Sequence, residues 1–324
     1  MKAFLNAASP TPPVLFIIFR RPDNTAKVFS AIRDARPNKL FIAADGPRPS
    51  HPEDAERCRL AREVVANVDW PCEVQKRFLD KNLGCDKNIT SAIHWFFENV
   101  EEGIILEDDI LPEPSFFHYC AVLLERYRDD PRVMNITGYN PLTHGVGDGS
   151  YYPSRFFHCW GWATWRRVER LYETQILTFP EFRDSGAMRR LFPRRLHFEH
   201  FLREFDYCHR NPGKHWDMQW LYTIVANEGI CLNPCVNLVK NIGFGPDSTN
   251  AANSASYHAR RKTSPMREFR EPSSLTPSPK VLDEILRKAH GLTLWRKTLS
   301  RLAAPFAGTI LKLLWVITGK SRRA

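Results

Sequence analysis

The sequence predicts an α/β protein: a mixed, mostly parallel sheet flanked by helices, with a helical tail at the C-terminus. Three observations carry this. Short, unbroken apolar runs at 14–19, 40–44 and 103–106 read as strands buried on both faces. Stretches with helical apolar spacing separate them, and strands alternating with helices imply right-handed crossovers and a parallel sheet. Acidic or Gly/Pro-containing turns close several of the runs, as expected where strands end at one edge of the sheet.

The elements follow in order. Val14–Phe19 is the first strand, and Pro22-Asp23 opens a helix carrying Val28, Phe29 and Ile32 on one face. Leu40–Ala44 is the second strand and ends at Asp45-Gly46-Pro47. A charged helix covers about 52–67, and Cys72–Phe78 is the third strand. Asn82-Leu83-Gly84 turns into a helix near Asp86, with Ile89, Ile93, Phe96 and Phe97 aligned. Gly103–Leu106 is the fourth strand, stopped by Glu107-Asp108-Asp109. A helix over about 114–127 and a strand over 132–136 come next. Residues 137–155 read as loop. Beyond them the expectation is a short strand near 155–158, helices around 185–205 and 217–227, and a strand near 235–239. Residues 241–280, rich in Ser, Pro and Asn, read as a flap and then a linker.

Length and charge bound the rest. The 324 residues suffice for one large domain or two small ones. With 43% hydrophobic and 25% charged residues, disorder is excluded, and the 16 Gly and 24 Pro show no repeat period. Eight widely spaced cysteines without a CxxC favour reduced thiols, and the run at 14–19 is too short for a secretory signal, so a cytoplasmic chain is expected. The net charge is +10, but nine basic and no acidic residues follow Glu284, so residues 1–284 are almost neutral. No aromatic-interleaved basic stripe or nucleic-acid-binding motif appears, so nucleic acid is not the expected partner. The stretch 302–319 is apolar but interrupted by Pro305 and Lys312. It is short of the roughly 20 residues that span a bilayer. It reads as an amphipathic helix lying on an anionic membrane surface, the alternative being a helix docked on the body. The organisation expected is a domain over 1–255, a linker over 256–284 and a basic amphipathic tail over 285–324.

The chemistry concentrates in Glu107-Asp108-Asp109 at the end of the fourth strand, where open α/β sheets bind ligands. Three adjacent anions beside a buried strand repel and lose solvation, and a hard divalent cation, Mg²⁺ or Mn²⁺, would relieve that. The alternative is an acidic surface turn capping the next helix. In an extended chain Glu107 and Asp109 point one way and Asp108 the other. Asp45 ends the second strand, as a binding group or as part of an ordinary Asp-Gly-Pro turn. Arg20 is placed to brace a ligand or to be a solvated charge. Trp160, Trp162 and Trp165 are suited either to stacking on sugars or to core packing. Asp217 is a candidate general base that also stands where a helix N-cap would.

Glu107-Asp108-Asp109-Ile110 with the helix after Pro114 resembles the acidic segment of GT-A glycosyltransferases related to N-acetylglucosaminyltransferase I. Phe156-Phe157-His158-Cys159-Trp160-Gly161-Trp162, His215-Trp216-Asp217-Met218-Gln219-Trp220 and Pro234–Gly245 resemble further segments of that group in the same order, and the resemblance extends to bacterial family 2-like glycosyltransferases. It covers about 14–250. It implies a Rossmann-like GT-A fold and a metal-dependent, inverting transfer from a nucleotide-sugar donor, UDP favoured, to a glycan or lipid-linked acceptor at the inner membrane face. It implies Asp109 as metal ligand, Asp108 at the ribose, Glu107 at the transferred sugar and Asp45 at the base, with Asp217 as base. Beside it, Arg20 is read as bracing the base or diphosphate, Lys81–Gly84 either as bringing backbone close to the nucleoside or as an ordinary turn, and Gly243 as part of a closing lid over Asn241–Gly245. Met218 and Gln219 stand where the group carries a second acid. Two other functions remain open: a non-catalytic sugar-nucleotide or glycan-binding partner at the membrane, and a sugar nucleotidyltransferase, whose Gly-rich signature Phe19–Pro22 lacks.

Overall fold

The computed structural model describes residues 10–143, 145–244, 257–289 and 291. Its first half runs β1 (Val14–Ile18), α1 (Pro22–Ala35), β2 (Lys39–Ala44), α2 (Asp54–Val64), β3 (Glu73–Phe78), α3 (Cys85–Asn99), β4 (Glu102–Glu107), β5 (Ile110–Pro112), α4 (Ser115–Arg126) and β6 (Val133–Thr137). The second half runs β7 (Tyr151–Ser154), β8 (Trp162–Trp165), α5 (Arg166–Glu169), α6 (Phe179–Asp184), α7 (Ala187–Leu191), α8 (Arg195–Arg210), α9 (Trp216–Ala226), β9 (Ile230–Pro234), β10 (Val239–Asn241) and α10 (Pro279–Ala289).

Eight strands form one sheet in the order β3-β2-β1-β4-β8-β6-β9-β7. β1, β2, β3 and β4 are mutually parallel, and β6 pairs parallel with β9. β8 is antiparallel to both β4 and β6, and β7 is antiparallel to β9. Six strands therefore point one way and two the other, which is the mixed, mostly parallel sheet the apolar runs announced. β1 is buried at every position because both its faces are covered, and β3, at the sheet edge, carries exposed Glu73 and Lys76 and half-buried Arg77. α3 lays Ile89, Ile93, Phe96 and Phe97 on the sheet, with Phe96 edge-on to Phe41 at 5.1 Å. This packing fixes α3, and with it the turn before it, against the ends of β1 and β2.

The second half departs from the sequence reading at particular places. The stretch 137–155 is not all loop, since Tyr151–Ser154 forms the edge strand β7, which tolerates Pro153 because nothing pairs beyond it. The strand expected near 155–158 lies instead at Trp162–Trp165, buried between β4 and β6. The strand expected near 235–239 splits into β9 and β10 on either side of a turn, and β10 pairs with β5 in a separate two-stranded sheet. The helix expected over 185–205 breaks at Phe192-Pro193 into α7 and α8, because proline cannot donate inside a helix. Trp162 and Trp165 are core residues, 1% and 2% exposed, whereas Trp160 is half-buried.

The segment read as a linker is bound to the body. Ser150 exchanges backbone and side-chain hydrogen bonds with Glu268 and Arg270, and Asn237 with Lys262 and Ser264. α10 then buries Leu282, Ile285 and Leu286, and its Asp283 pairs with Arg194 and His197. The boundary drawn at 284/285 thus falls inside a helix. Residues 292–324, which carry most of the basic tail, lie outside the described residues.

Candidate functional site

The parallel strands present their carboxyl ends along one edge, and the sequence-selected residues gather there. Glu107, the last residue of β4, is in register with Ile17, and Ile18 with Ala44, so the turns after β1, β2 and β4 are neighbours. Asp108 and Asp109 then form a turn into β5, which breaks the strict alternation expected of an extended chain. One guanidinium nitrogen bridges them: Arg21 Nη1 lies 2.7 Å from Asp109 Oδ2 and 3.2 Å from Asp108 Oδ1. The Phe19 N–H donates to the other oxygen of Asp108 at 3.0 Å.

The electrostatics are those of crowded acids out of water. Burial, then the charges of Asp109 and Asp108, push the Glu107 carboxyl well above the usual carboxylate range. Burial and the neighbouring Asp109 push Asp108 up to about 6, against the pull of Arg21. Burial also raises Asp109, although Arg21 opposes it. The neighbouring thiols of Cys85 and Cys159 are raised, first by burial and then by this same set of acids, with Asp217 among them.

Gly243 packs against the acids. Ile242 N–H donates to the Asp109 carbonyl at 2.7 Å, continuing the pairing of β10 with β5, and the Asn241 side chain accepts the Gly243 N–H at 2.8 Å. Any Cβ at Gly243 would stand 2.8 Å from Asp109 Cβ and closer still to Oδ2, so only glycine fits. Phe244, next in line, packs edge-on against Trp160 at 6.1 Å, and Tyr139 and His258 flank Trp160 at 4.9 and 5.2 Å. The rest of the proposed lid, from Gly245 on, lies outside the described residues.

Asp45 is 4% exposed and holds a turn together. Its two oxygens accept the N–H groups of Gly46, Leu83 and Gly84 and the Asn82 amide, at 2.8 to 3.1 Å. Four donors fill a carboxylate's acceptor sites. Gly84 adopts φ 82° as it leads into α3, a conformation glycine takes without steric cost. Arg20 turns away from the acids toward Asp54, 3.4 Å distant, which Arg48 also engages. Its neighbour Arg21 is the cation of the site, and sequence reasoning missed it. The only signal was the pair Arg20-Arg21 itself, and nothing in the sequence says which of two adjacent arginines faces the acids.

Asp217 reaches the same place from the far half of the chain. Its charge is among those that raise Glu107. Its own carboxyl is raised by burial, against the backbone N–H of Met218 and the charge of His215. It is not the N-cap of α9: His215 takes that position with φ 59° and no side-chain cap, and Asp217 is the second helical residue. The cap comes from another helix, since Asp86 of α3 accepts the Trp216 N–H at 2.9 Å. Gln219, where a second acid was sought, is buried and braces Tyr172 and the Lys214 carbonyl.

The residues fit a hard divalent cation in one specific way. Among the described residues no group of three or more His, Cys, Asp or Glu side chains converges to hold a metal. The guanidinium of Arg21 nevertheless stands as a cation between two carboxylates, and the donor atoms there are all oxygen. Oxygen donors suit Mg²⁺ and Mn²⁺, and such ions are commonly held by one or two carboxylates together with substrate phosphates. Asp109, whose Oδ1 is not engaged by Arg21, is the carboxylate suited to that. A separate cavity of about 420 Å³ beside α2, lined by Cys58, Arg59, Arg62 and Asp80, shares no residue with the acid cluster. No helix among the described residues is long and apolar enough to cross a membrane.

The chain matches no protein-family model and no curated protein. Among solved structures it is similar to mouse xyloside xylosyltransferase 1, with 10% identity and a TM-score of 0.36 over 82% of this chain and 99% of that one. It is similar to HddC from Yersinia pseudotuberculosis at 10% identity and TM-score 0.31, over 52% of this chain and 86% of that one. A UDP-glucose pyrophosphorylase bound to UDP-glucose is matched at 9% identity and TM-score 0.29, over 49% and 78% of the two chains. Likenesses this remote carry no statement about what this chain binds. The α/β architecture rests on its own strand order.

Proposed function

We propose that this chain is a metal-dependent, inverting glycosyltransferase that moves a sugar from a nucleotide-sugar donor, UDP favoured, to a glycan or lipid-linked acceptor. The observation that carries this is the cluster at the edge where α/β sheets bind ligands: Asp108 and Asp109 share the Arg21 guanidinium, Gly243 packs on Asp109, and the helix bearing Asp217 is tied by its first N–H to Asp86, two residues beyond Gly84.

In this reading Asp109 would hold Mg²⁺ or Mn²⁺, and Arg21 turns part of its charge to the donor's phosphates. When bound, such a cation would offset the negative charge that builds on the leaving nucleoside diphosphate. Asp108, fixed by the Phe19 N–H, meets the ribose. Glu107, whose proton affinity is raised by burial and by the neighbouring acids, meets the transferred sugar. Asp45 serves the base by holding the Asn82–Gly84 turn, with Arg20 at its margin, and Gly243 lets the lid close down on Asp109. The half-buried Trp160 offers an aromatic face to a sugar ring. Asp217 takes the acceptor hydroxyl proton as that oxygen attacks the anomeric carbon. Its raised proton affinity makes it a better base than an exposed aspartate. The basic tail attaches the protein to an anionic, cytoplasmic membrane face.

The experiment is release of nucleoside diphosphate from a panel of sugar nucleotides with Mn²⁺, in the wild type, Asp109→Ala and Asp217→Ala. Metal-dependent release lost in both variants is expected. Tight binding without release would favour a non-catalytic partner, and pyrophosphate-dependent turnover a nucleotidyltransferase.

A further inference from the structure

We propose that Asp86 is a positioning residue for Asp217: by capping α9 from the start of α3 it fixes the helical turn that carries the base. The inference rests on Asp217 acting as the base.

The first N–H groups of a helix have no partner within it. At α9 the local cap position cannot help, because His215 is in the left-handed region, φ 59°, and makes no side-chain cap bond. The Trp216 N–H is satisfied by a carboxylate 130 residues away, Asp86 Oδ1 at 2.9 Å. The Trp216 ring is held as well, stacked on Trp162 at 6.2 Å and edge-on to Phe157 at 6.2 Å. Amide and ring together leave the first turn of α9 little freedom, and Asp217 is the next residue.

The same tie reaches the nucleotide side. Asp86 lies two residues after Gly84, whose N–H is bound by Asp45. Asp45, the Asn82–Gly84 turn, Asp86, Trp216 and Asp217 thus form one bonded path from the end of β2 to the candidate base.

A serine or asparagine would cap as well as an aspartate. The aspartate adds a charge that raises the proton affinity of Asp217 beyond what burial does. The other titratable groups within electrostatic reach of Asp217 are Cys85 on α3, Glu107 on β4, Cys159 beside Trp160, Tyr172 after α5, Cys208 on α8 and His215, whose charge lowers the proton affinity of Asp217.

The test uses the full chain, Mn²⁺ and donor hydrolysis, with water in the acceptor's place. kcat/KM is followed against pH for wild type, Asp86→Asn and Asp86→Ala, and UDP affinity is measured by calorimetry. Asparagine keeps the acceptor oxygen and drops the charge. Its kcat at the optimum stays within about threefold of wild type, while the acidic limb moves to lower pH. Alanine drops both, and kcat falls on the order of tenfold to a hundredfold with UDP affinity held. Wild-type kcat in Asp86→Ala would overturn the proposal. So would equal losses in both variants with an unmoved acidic limb, or loss of UDP binding in step with kcat. Wild-type protein that releases no nucleoside diphosphate from any donor would instead overturn the transferase reading itself.

Discussion

Gly243 rests directly on Asp109: a methyl group at residue 243 would stand 2.8 Å from the Asp109 Cβ and would overlap its carboxylate. The contact joins two segments far apart in the chain, since β10 leads into Gly243 and β4 into Asp109, and the β5–β10 pairing holds them in register. Gly243→Ala must therefore displace the carboxylate or the lid strand. The expected result is a loss of Mn²⁺-dependent UDP affinity of about tenfold or more, because a small displacement of a ligating oxygen is costly. Calorimetric titration of the variant with UDP, with and without Mn²⁺, reads this directly. Unchanged affinity would separate Gly243 from the metal site.

Arg21 neutralises a pair of nearly buried acids, with side-chain exposures of 18% for itself, 6% for Asp108 and 17% for Asp109. Arg21→Ala leaves both carboxylates without their cation. A loss of about 3 kcal/mol in urea unfolding at neutral pH is expected, as for breaking one side of a buried ion pair. Mn²⁺ should restore more stability to the variant than it adds to the wild type, because it binds only the folded form and supplies the missing charge. An equal Mn²⁺ effect on both proteins would argue against a cation site at Asp109.

The acids also set a pH dependence whose sign is unusual for carboxylates. Asp108 is pushed up to about 6, by burial first and the Asp109 charge second, and Glu107, Asp109 and Asp217 are raised too. An unfolded aspartate ionises near 3.9. The folded state therefore keeps protons that the unfolded chain has released. The stability this contributes is complete below the unfolded value and is lost as pH rises through 6. Metal-free protein should unfold at higher urea at about pH 5 than at neutral pH, with Asp108→Asn flattening the slope. A flat or opposite profile in the wild type would show the acids to be solvated.

What the sequence made legible, and what it hid, follows from how local each signal was. β1, β2 and β4 announced themselves because burial on both faces demands an unbroken apolar run, and the acids stood out as three charges beside one. β8 did not, since Trp162-Ala163-Thr164-Trp165 is too short and too aromatic to be told from core filler by pattern alone. Arg21 and Asp86 were invisible for a different reason. Their partners, Asp109 and the Trp216 N–H, lie 88 and 130 positions away, and no local periodicity encodes such a contact. Asp217 was legible as a candidate, but its role as a cap was misjudged because the true cap belongs to another helix.

The C-terminal segment offers the last prediction. Ile285 and Leu286 are fully buried and Leu282 is 5% exposed, all on one face of α10. Asp283 on its flank bridges Arg194 and buried His197, fastening α10 to the start of α8. Burial holds His197 down to about 4, helped by the nearby Arg194, so the ring is neutral at physiological pH and Arg194 supplies the charge for Asp283. If 256–284 merely tethered a separate tail, Ile285→Ala would change nothing in the body. With Ile285 in the core, the truncation removes buried methyl groups and leaves a cavity, at a cost of about 2 to 4 kcal/mol. Urea unfolding of the variant, followed by tryptophan fluorescence, should show that loss in the single main transition. UDP affinity with Mn²⁺ should stay at the wild-type level, because α10 is tied to Arg194, His197 and Thr143, away from the acid edge. A wild-type midpoint for Ile285→Ala would detach α10 from the domain and restore the linker.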